Sequence, residues 1–276
     1  MSPTEASGSV GFPPEPSGEP SIPELKRSLA KYWDERSRGF ERAQGITVER
    51  QREAWLAFLG TVLGRPPQKV LDVGTGTGFL ALLAAELGHE VKGLDLSPGM
   101  VERAKELAGE RGLKATFAVA DAEGLPEPEE SYDRVINRNV LWTLPEPERA
   151  LADWHRVLRP GGSLVVVDGD WFDDPPSYRI RRFLGSVMIL LATGRNPWAA
   201  RRRLRRGYDG SFEKHLPLRS PGNRRRFPEL IALAGFEDVR SIDLAEIDAA
   251  EKARLKPAER LVQSNRFFAV VARKPD

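Results

Sequence analysis

A chain of 276 residues, 40% hydrophobic and 30% charged, accommodates one globular domain of ordinary core size plus a subdomain's worth of additions, and excludes a large multidomain assembly. Its 42 basic and 40 acidic residues leave a formal net charge of +2, which gives no whole-chain argument for nucleic acid or an acidic partner. The absence of cysteine removes disulfides, thiolate metal sites and cysteine nucleophiles, and His89, His155 and His215 lack the i, i+4 spacing that would set two on one helix face, so no metal centre is expected.

Residues 1–20 hold no Lys or Arg and no apolar run, so they read as a disordered tail, neither a secretory signal nor a transit peptide. Residues 21–66 hold two predicted helices, 22–38 and 47–63, with apolar residues such as Leu25, Leu29, Trp33, Trp55, Leu59 and Leu63 near helical spacing. The period changes at Lys69, where the β-rich run KVLDV meets a glycine cluster and FLALLAAEL opens a helix that ends at Gly88. Alternation then continues: strand 90–95, helix 98–111, strands 115–120 and 132–136, helix 146–158, strand 163–168. Such β-α-β rhythm with short loops predicts an α/β, doubly wound, mostly parallel sheet.

Residues 172–226 interrupt the rhythm with an Arg-laden, helix-like insertion. Between Arg179 and Arg226 stand 13 Arg and Lys214 against Asp209 and Glu213, a net +12 that leaves the remainder at −10. We expect a helical lid, in which FLGSVMILLA supplies an apolar face and RNPWAARRRLRRGYDG a cationic one. The sheet resumes with a helix at 228–234 and strands at 236–242 and 266–271, so 227–276 completes the core begun at 67–171. The longest apolar stretch, 183–192, covers about half of the ~20 residues a bilayer-spanning helix requires, which predicts a soluble, cytoplasmic protein.

The chemistry is concentrated in three strand ends. The loop Asp72-Val73-Gly74-Thr75-Gly76-Thr77-Gly78-Phe79 permits a sharp turn and close approach of backbone to a ligand. Its spacing is G-x-G-x-G, whereas a dinucleotide loop needs glycine where Phe79 stands, which argues against a nicotinamide oxidoreductase. Asp72 would repel a pyrophosphate but attract a ligand ammonium or sulfonium. Asp95, ending the next strand, stands where a carboxylate accepts from both ribose hydroxyls, and Ser97 with Pro98 already supplies the cap of the following helix. Asp121 ends the third strand. Three acids at one sheet edge describe a cationic nucleoside.

Together VLDVGTGTG, GLDLSPGM and VADAE resemble the class I S-adenosylmethionine-dependent methyltransferases, within them the small-molecule group that includes the ubiquinone and menaquinone biosynthesis enzymes, over residues 70–168. The resemblance implies a seven-stranded Rossmann-like fold and S-adenosyl-L-methionine as cofactor. It implies that Asp72, Gly74, Thr75, Gly76 and Gly78 wrap the methionine part, that Asp95 beside Leu96 holds the ribose, and that Met100 packs by the adenine. Asp121 would accept from the adenine amino group, with Ala122 and Glu123 beside it, and the strand end at Asn137 and Arg138 would meet the methionine amino group through main chain. RVLRPGGSLVVVD resembles the turn and fifth strand of the group. No N/D-P-P-Y/F follows the fourth strand, which disfavours amino methylation of nucleic-acid bases, and DNA is not an expected partner.

The acceptor side is read from aromatics outside these motifs: Tyr32 and Trp33 on an N-terminal helix that covers the cofactor, Trp142, Trp171 and Tyr208, with His215 as a candidate base. No residue is identified as catalytic. The function expected is methyl transfer to a small molecule, amphipathic or anionic. An RNA methyltransferase using the Arg-rich insertion, an anionic membrane surface met by that insertion, and a non-catalytic cofactor-binding protein stand as alternatives.

Overall fold

The computed structural model describes residues 20–38, 49–173, 176–194, 215–253, 255–262 and 266–276. The expected tail, apart from Pro20, and the arginines of 195–214 with Tyr208 lie outside the described residues.

Seven strands form one sheet in the order β3-β2-β1-β4-β5-β7-β6. They are β1 (Lys69–Val73), β2 (Glu90–Asp95), β3 (Ala115–Val119), β4 (Tyr132–Arg138), β5 (Leu158–Gly169), β6 (Glu237–Asp243) and β7 (Phe267–Arg273). Only β7 runs against the others, pairing antiparallel with both β5 and β6. Strand alternation sends Ile136, Val165, Val167 and Ala269 to one face and Val135, Leu164, Val166 and Phe268 to the other, so each strand must be apolar almost throughout.

The helices are α1 (Ile22–Asp34), α2 (Glu49–Leu63), α3 (Phe79–Glu86), α4 (Pro98–Glu110), α5 (Pro147–Val157), α6 (Pro176–Thr193), α7 (Asn223–Leu233), α8 (Ala245–Ala253) and α9 (Pro257–Val262). Trp55, Leu59 and Leu63 of α2 join α3, α4 and Ile247 of α8 on the first face. Leu151 and Trp154 of α5 with Phe227 and Ile231 of α7 cover the second. The strand order turns back between β1 and β4, so the loops leaving their carboxyl ends diverge and open a crevice there.

Helix α1 ends at Asp34 rather than 38, β4 runs on to Arg138, α8 and α9 are additional to the sequence reading, and two further boundaries differ for a visible reason. Helix α7 begins at Asn223, with Pro228 inside it, and so takes Asn223–Arg226 out of the expected insertion. Gly222, in left-handed conformation at φ 90°, starts the helix ahead of the proline that signalled its start. Strand β5 begins at Leu158 rather than Ser163, because the RPGG turn is held by β7: Gly161 N donates to Lys274 O and Lys274 N donates to Gly162 O.

Helix α1 lies outside the sheet layers. A Ser21–Glu24 capping box starts it, and Leu25 and Leu29 pack with Leu216 against Leu96 and Trp142. At its other end Asp34 Oδ1 accepts from Gly99 N at 2.6 Å and Ser97 Oγ at 3.1 Å, placing a carboxylate at the amino end of α4.

Candidate functional site

A cavity of about 260 Å³ occupies the crevice, lined by the β1 and β4 loops, the ends of β2 and β3, and α1. Its floor is the glycine loop. Gly74 has φ 66°, and a Cβ there would strike the Val140 side chain, so only glycine lets the β1 and β4 loops meet. Gly78 has φ 85° and starts α3, where a Cβ would crowd Ala104, Leu82 and Phe117. Its freedom serves packing, and it does not line the cavity, unlike Gly74, Thr75 and Gly76.

Asp72 is buried, and its Oδ2 accepts from Thr75 Oγ1 at 2.6 Å and from Ala81 N at 3.1 Å. The carboxylate thus ties the loop to the first turn of α3 while still lining the cavity. Burial pushes its pKa up to about 7, against the pull of those two hydrogen bonds. Asp95 is half-buried and closes the loop from the other side: Oδ2 accepts from Gly76 N at 2.8 Å and Oδ1 from Ser97 N at 2.9 Å. Burial raises its pKa too, opposed by backbone donors.

Met100 and Leu96 form one wall, and Ala120, Asp121, Ala122 and Glu123 the far end. Here the structure adds a residue that the motifs do not announce. Lys26 Nζ, from α1, reaches Asp121 Oδ2 at 2.7 Å and also pairs with Glu123. Burial alone would lower the Lys26 pKa, but these two carboxylates outweigh it and raise the value. Glu123 is buried and also accepts from Glu146 N at 2.6 Å, so its charge serves the scaffold. The available signal was a lysine on the apolar face of α1, at i and i+3 with Leu29 and i and i+7 with Trp33.

The opposite end is aromatic. Trp33, Phe79, Trp142 and Trp171 line it together with Leu29, while Leu144 and Pro145 lead to Glu146, whose amide meets Glu123 at the carboxylate end. Trp142 meets Phe172 edge-on at 5.3 Å. Trp171 Nε1 donates to Asp168 Oδ1 at 2.6 Å, which fixes its ring plane, and burial raises the Asp168 pKa to about 7. Among these walls stands a half-buried cation. The Arg138 guanidinium lies 3.9 Å from the Phe79 ring centre and 5.3 Å from that of Trp55. Its Nη1 has no hydrogen-bond partner among the described residues. Burial lowers its pKa to about 10, with Glu251 and Asp72 pulling the other way. Glu251 itself accepts from Gln51 Nε2, so α2 and α8 both support this corner.

Besides Gly78, three sequence candidates with described positions are not brought to the cavity. Tyr32 meets Trp33 edge-on and lies under the Arg36 guanidinium, and it is Trp33 that lines the cavity. His215 sits beside Leu216 outside the lining, so the structure gives no geometry for a base there. Asn137 is buried on the Val135 side of the sheet, away from Arg138, and neither of its side-chain polar atoms has a partner among the described residues.

Residues 71–166 match the family described as Methyltransferase domain. Among curated proteins, the chain is 41% identical over 116 residues to demethylmenaquinone methyltransferase of Thermus thermophilus, covering 41% of this chain and 51% of that one. It is 33% identical over 157 residues to the ubiquinone/menaquinone biosynthesis C-methyltransferase UbiE of Bordetella parapertussis, covering 55% and 61% respectively. The chain thus spans between about half and three-fifths of the length of these relatives. Among solved structures, the [4+2]-cyclase SpnF superposes with a TM-score of 0.53 at 22% identity, covering 80% of this chain and 79% of that one. Phosphoethanolamine N-methyltransferase 2 of Haemonchus contortus, in complex with S-adenosyl-L-methionine, gives 0.54 at 20%, covering 81% and 53%. The fold is the Rossmann-like fold of class I methyltransferases, and a cyclase on the same fold shows that fold alone does not fix the reaction.

Proposed function

From a chain that resembles the class I S-adenosylmethionine-dependent methyltransferases across its sheet, we propose that the protein transfers the methyl group of S-adenosyl-L-methionine to a small aromatic acceptor of quinone type. The observation that carries this reading is one cavity with carboxylates at one end and, at the other, tryptophans and an arginine whose guanidinium lies over Phe79. The quinone relatives favour neither an RNA acceptor nor a non-catalytic role.

The residues present fit the cofactor. Asp95 offers carboxylate lone pairs to ribose hydroxyls, Asp121 and the Ala122 amide flank the adenine position beside Met100, and Gly74–Gly76 with Asp72 bound the amino-acid end. When bound, the cofactor supplies an electrophilic methyl group on a sulfonium. The protein's task is then to orient and to exclude water. Trp33, Trp142 and Trp171 sandwich a flat acceptor, and Arg138 favours an acceptor bearing negative charge, held where water does not screen it. Positioning of this kind supplies up to ~7–11 kcal/mol of barrier lowering in favourable cases.

Two measurements test the proposal. Calorimetric titration with S-adenosylhomocysteine should show saturable binding at one site per chain, and incubation with cofactor and demethylated naphthoquinols or benzoquinols should yield a product heavier by one methylene unit. Binding without any methylated product across that panel would reject the acceptor class, and no binding would reject the cofactor.

A further inference from the structure

Helix α6 buries its small residues and exposes its large ones. Its buried residues are Gly185 and Ser186. A Cβ at Gly185 would lie 2.7 Å from the Ala258 carbonyl oxygen and 2.8 Å from Leu261 Cβ, so α9 rests directly on the α6 backbone. The bulky side chains turn outward. Of the nine large apolar side chains exposed among the described residues, six belong to α6, including Ile180 at 63%, Phe183 at 60% and Leu191 at 81%.

The pattern on the helix surface is specific. At ~100° per residue, Phe183, Ile180, Leu191, Leu184 and Met188 fall within one sector about 140° wide. Arg179 and Arg181, both exposed, fall on its two borders. The helix sequence PSYRIRRFLGSVMILLAT contains three arginines and no acid, and Arg179 opens the stretch whose sequence carries a net +12. An apolar sector bordered on both sides by cations complements an anionic lipid surface, since the apolar groups enter the acyl boundary while the arginine stems lie along it and keep their charges at the headgroups. No helix among the described residues is long and apolar enough to cross a membrane, so α6 would lie on the bilayer. A second copy of α6 complements the face less well, because an acid-free helix offers those arginines no carboxylate.

We propose that the outward face of α6 is an interfacial docking surface for membranes containing anionic phospholipid. Trp171, in the cavity wall, stands five residues ahead of Pro176. That step spans at most roughly 18 Å of chain, so a docked α6 keeps the cavity close to the lipid surface.

The test uses the full chain and sucrose-loaded vesicles of phosphatidylcholine alone or mixed with phosphatidylglycerol, and needs no activity, so it stands or falls apart from the methyl-transfer reading. Sedimentation should be at least about tenfold tighter on the anionic vesicles. The pair Arg179→Glu and Arg181→Glu should weaken it by about 30-fold or more, and the pair Ile180→Ser and Leu191→Ser should abolish it. Melting temperatures within a degree or two of the parent would show that both variants fold, as expected for exposed positions. Equal sedimentation with both vesicle types, or none with either, would overturn the proposal. So would a dimer by light scattering in lipid-free buffer that dissociates on Ile180→Ser and Leu191→Ser, which would assign the face to a second copy.

Discussion

At one end of the cavity, Asp95 and Asp121 hold backbone amides and a lysine, and every contact is ionic or hydrogen-bonded. At the other, Trp33, Phe79, Trp142 and Trp171 line the wall, and the one guanidinium there, that of Arg138, lies over Phe79 and Trp55. The first end comes from three consecutive strand–loop units, so its geometry follows from the sheet. The second is assembled from α1, α3, the β4 loop and the segment after β5, each of which can vary without disturbing the strands. In the function proposed above, this difference assigns the cofactor to the polar end and the choice of acceptor to the aromatic end.

The largest effect that would separate the two ends is expected at Lys26. Lys26→Met leaves Glu123 buried without its cation and should cost on the order of 3 kcal/mol of stability, seen as a lowered melting temperature. Adding Glu123→Gln should recover much of that loss, and no recovery would mean that Lys26 acts through packing.

Next comes Asp95→Ala. It removes charge-assisted hydrogen bonds worth ~1.5–3 kcal/mol, so affinity for S-adenosylhomocysteine should fall by roughly 10- to 100-fold. Unchanged affinity by calorimetry would remove Asp95 from the ribose site. Trp142→Ala should act at the opposite end, raising the acceptor KM by about tenfold for the loss of one aromatic wall while cofactor affinity stays within about twofold. If both constants move together, the two ends are not independent.

The smallest effect expected is a pH dependence. Asp72 titrates near 7 in the folded chain because it is buried, so a cationic ligand beside it should favour the ionised form. Cofactor affinity should therefore rise as pH goes from 6 to 8, by no more than about tenfold per unit of pKa change, with a proton released that calorimetry in two buffers detects. In the ligand-free protein the sign is opposite. The folded state retains a proton that the unfolded chain has lost, so this group's contribution to stability is full below about 4 and disappears as pH rises through 7. Asp72→Asn should flatten both profiles.

The same division explains what the sequence reveals. The strands and the glycine loop were legible because period and glycine spacing are local, and Asp95 could be placed because it ends a strand. Asp72 was legible as a cavity residue, but its bonds to Thr75 and Ala81 were not, since they depend on how α3 leaves the loop. Lys26 reaches Asp121 across 95 residues, and no local pattern encodes that pairing. Arg138 was expected to contribute main chain, whereas its side chain crosses the sheet face to Phe79. Tyr32 and Trp33 are neighbours on one helix, and which of them turns inward was decided by the docking of Leu25 and Leu29, which lies beyond composition.

The reversed strand β7 has a consequence for how the chain is made. It sits between β5 and β6, and β6 has no other strand neighbour among the described residues. During synthesis β1 to β5 can pair as they emerge, but β6 then waits with both edges open, and β5 with one, until residues 267–273 arrive. A chain halted before Phe267 should thus leave unpaired two strand edges that the finished sheet covers, one on β5 and one on β6, and be cut by protease there, while the loops at the far side, around β2 and β3, are already protected. The order of emergence leaves the β5–β6 side of the sheet as the last part to be sealed.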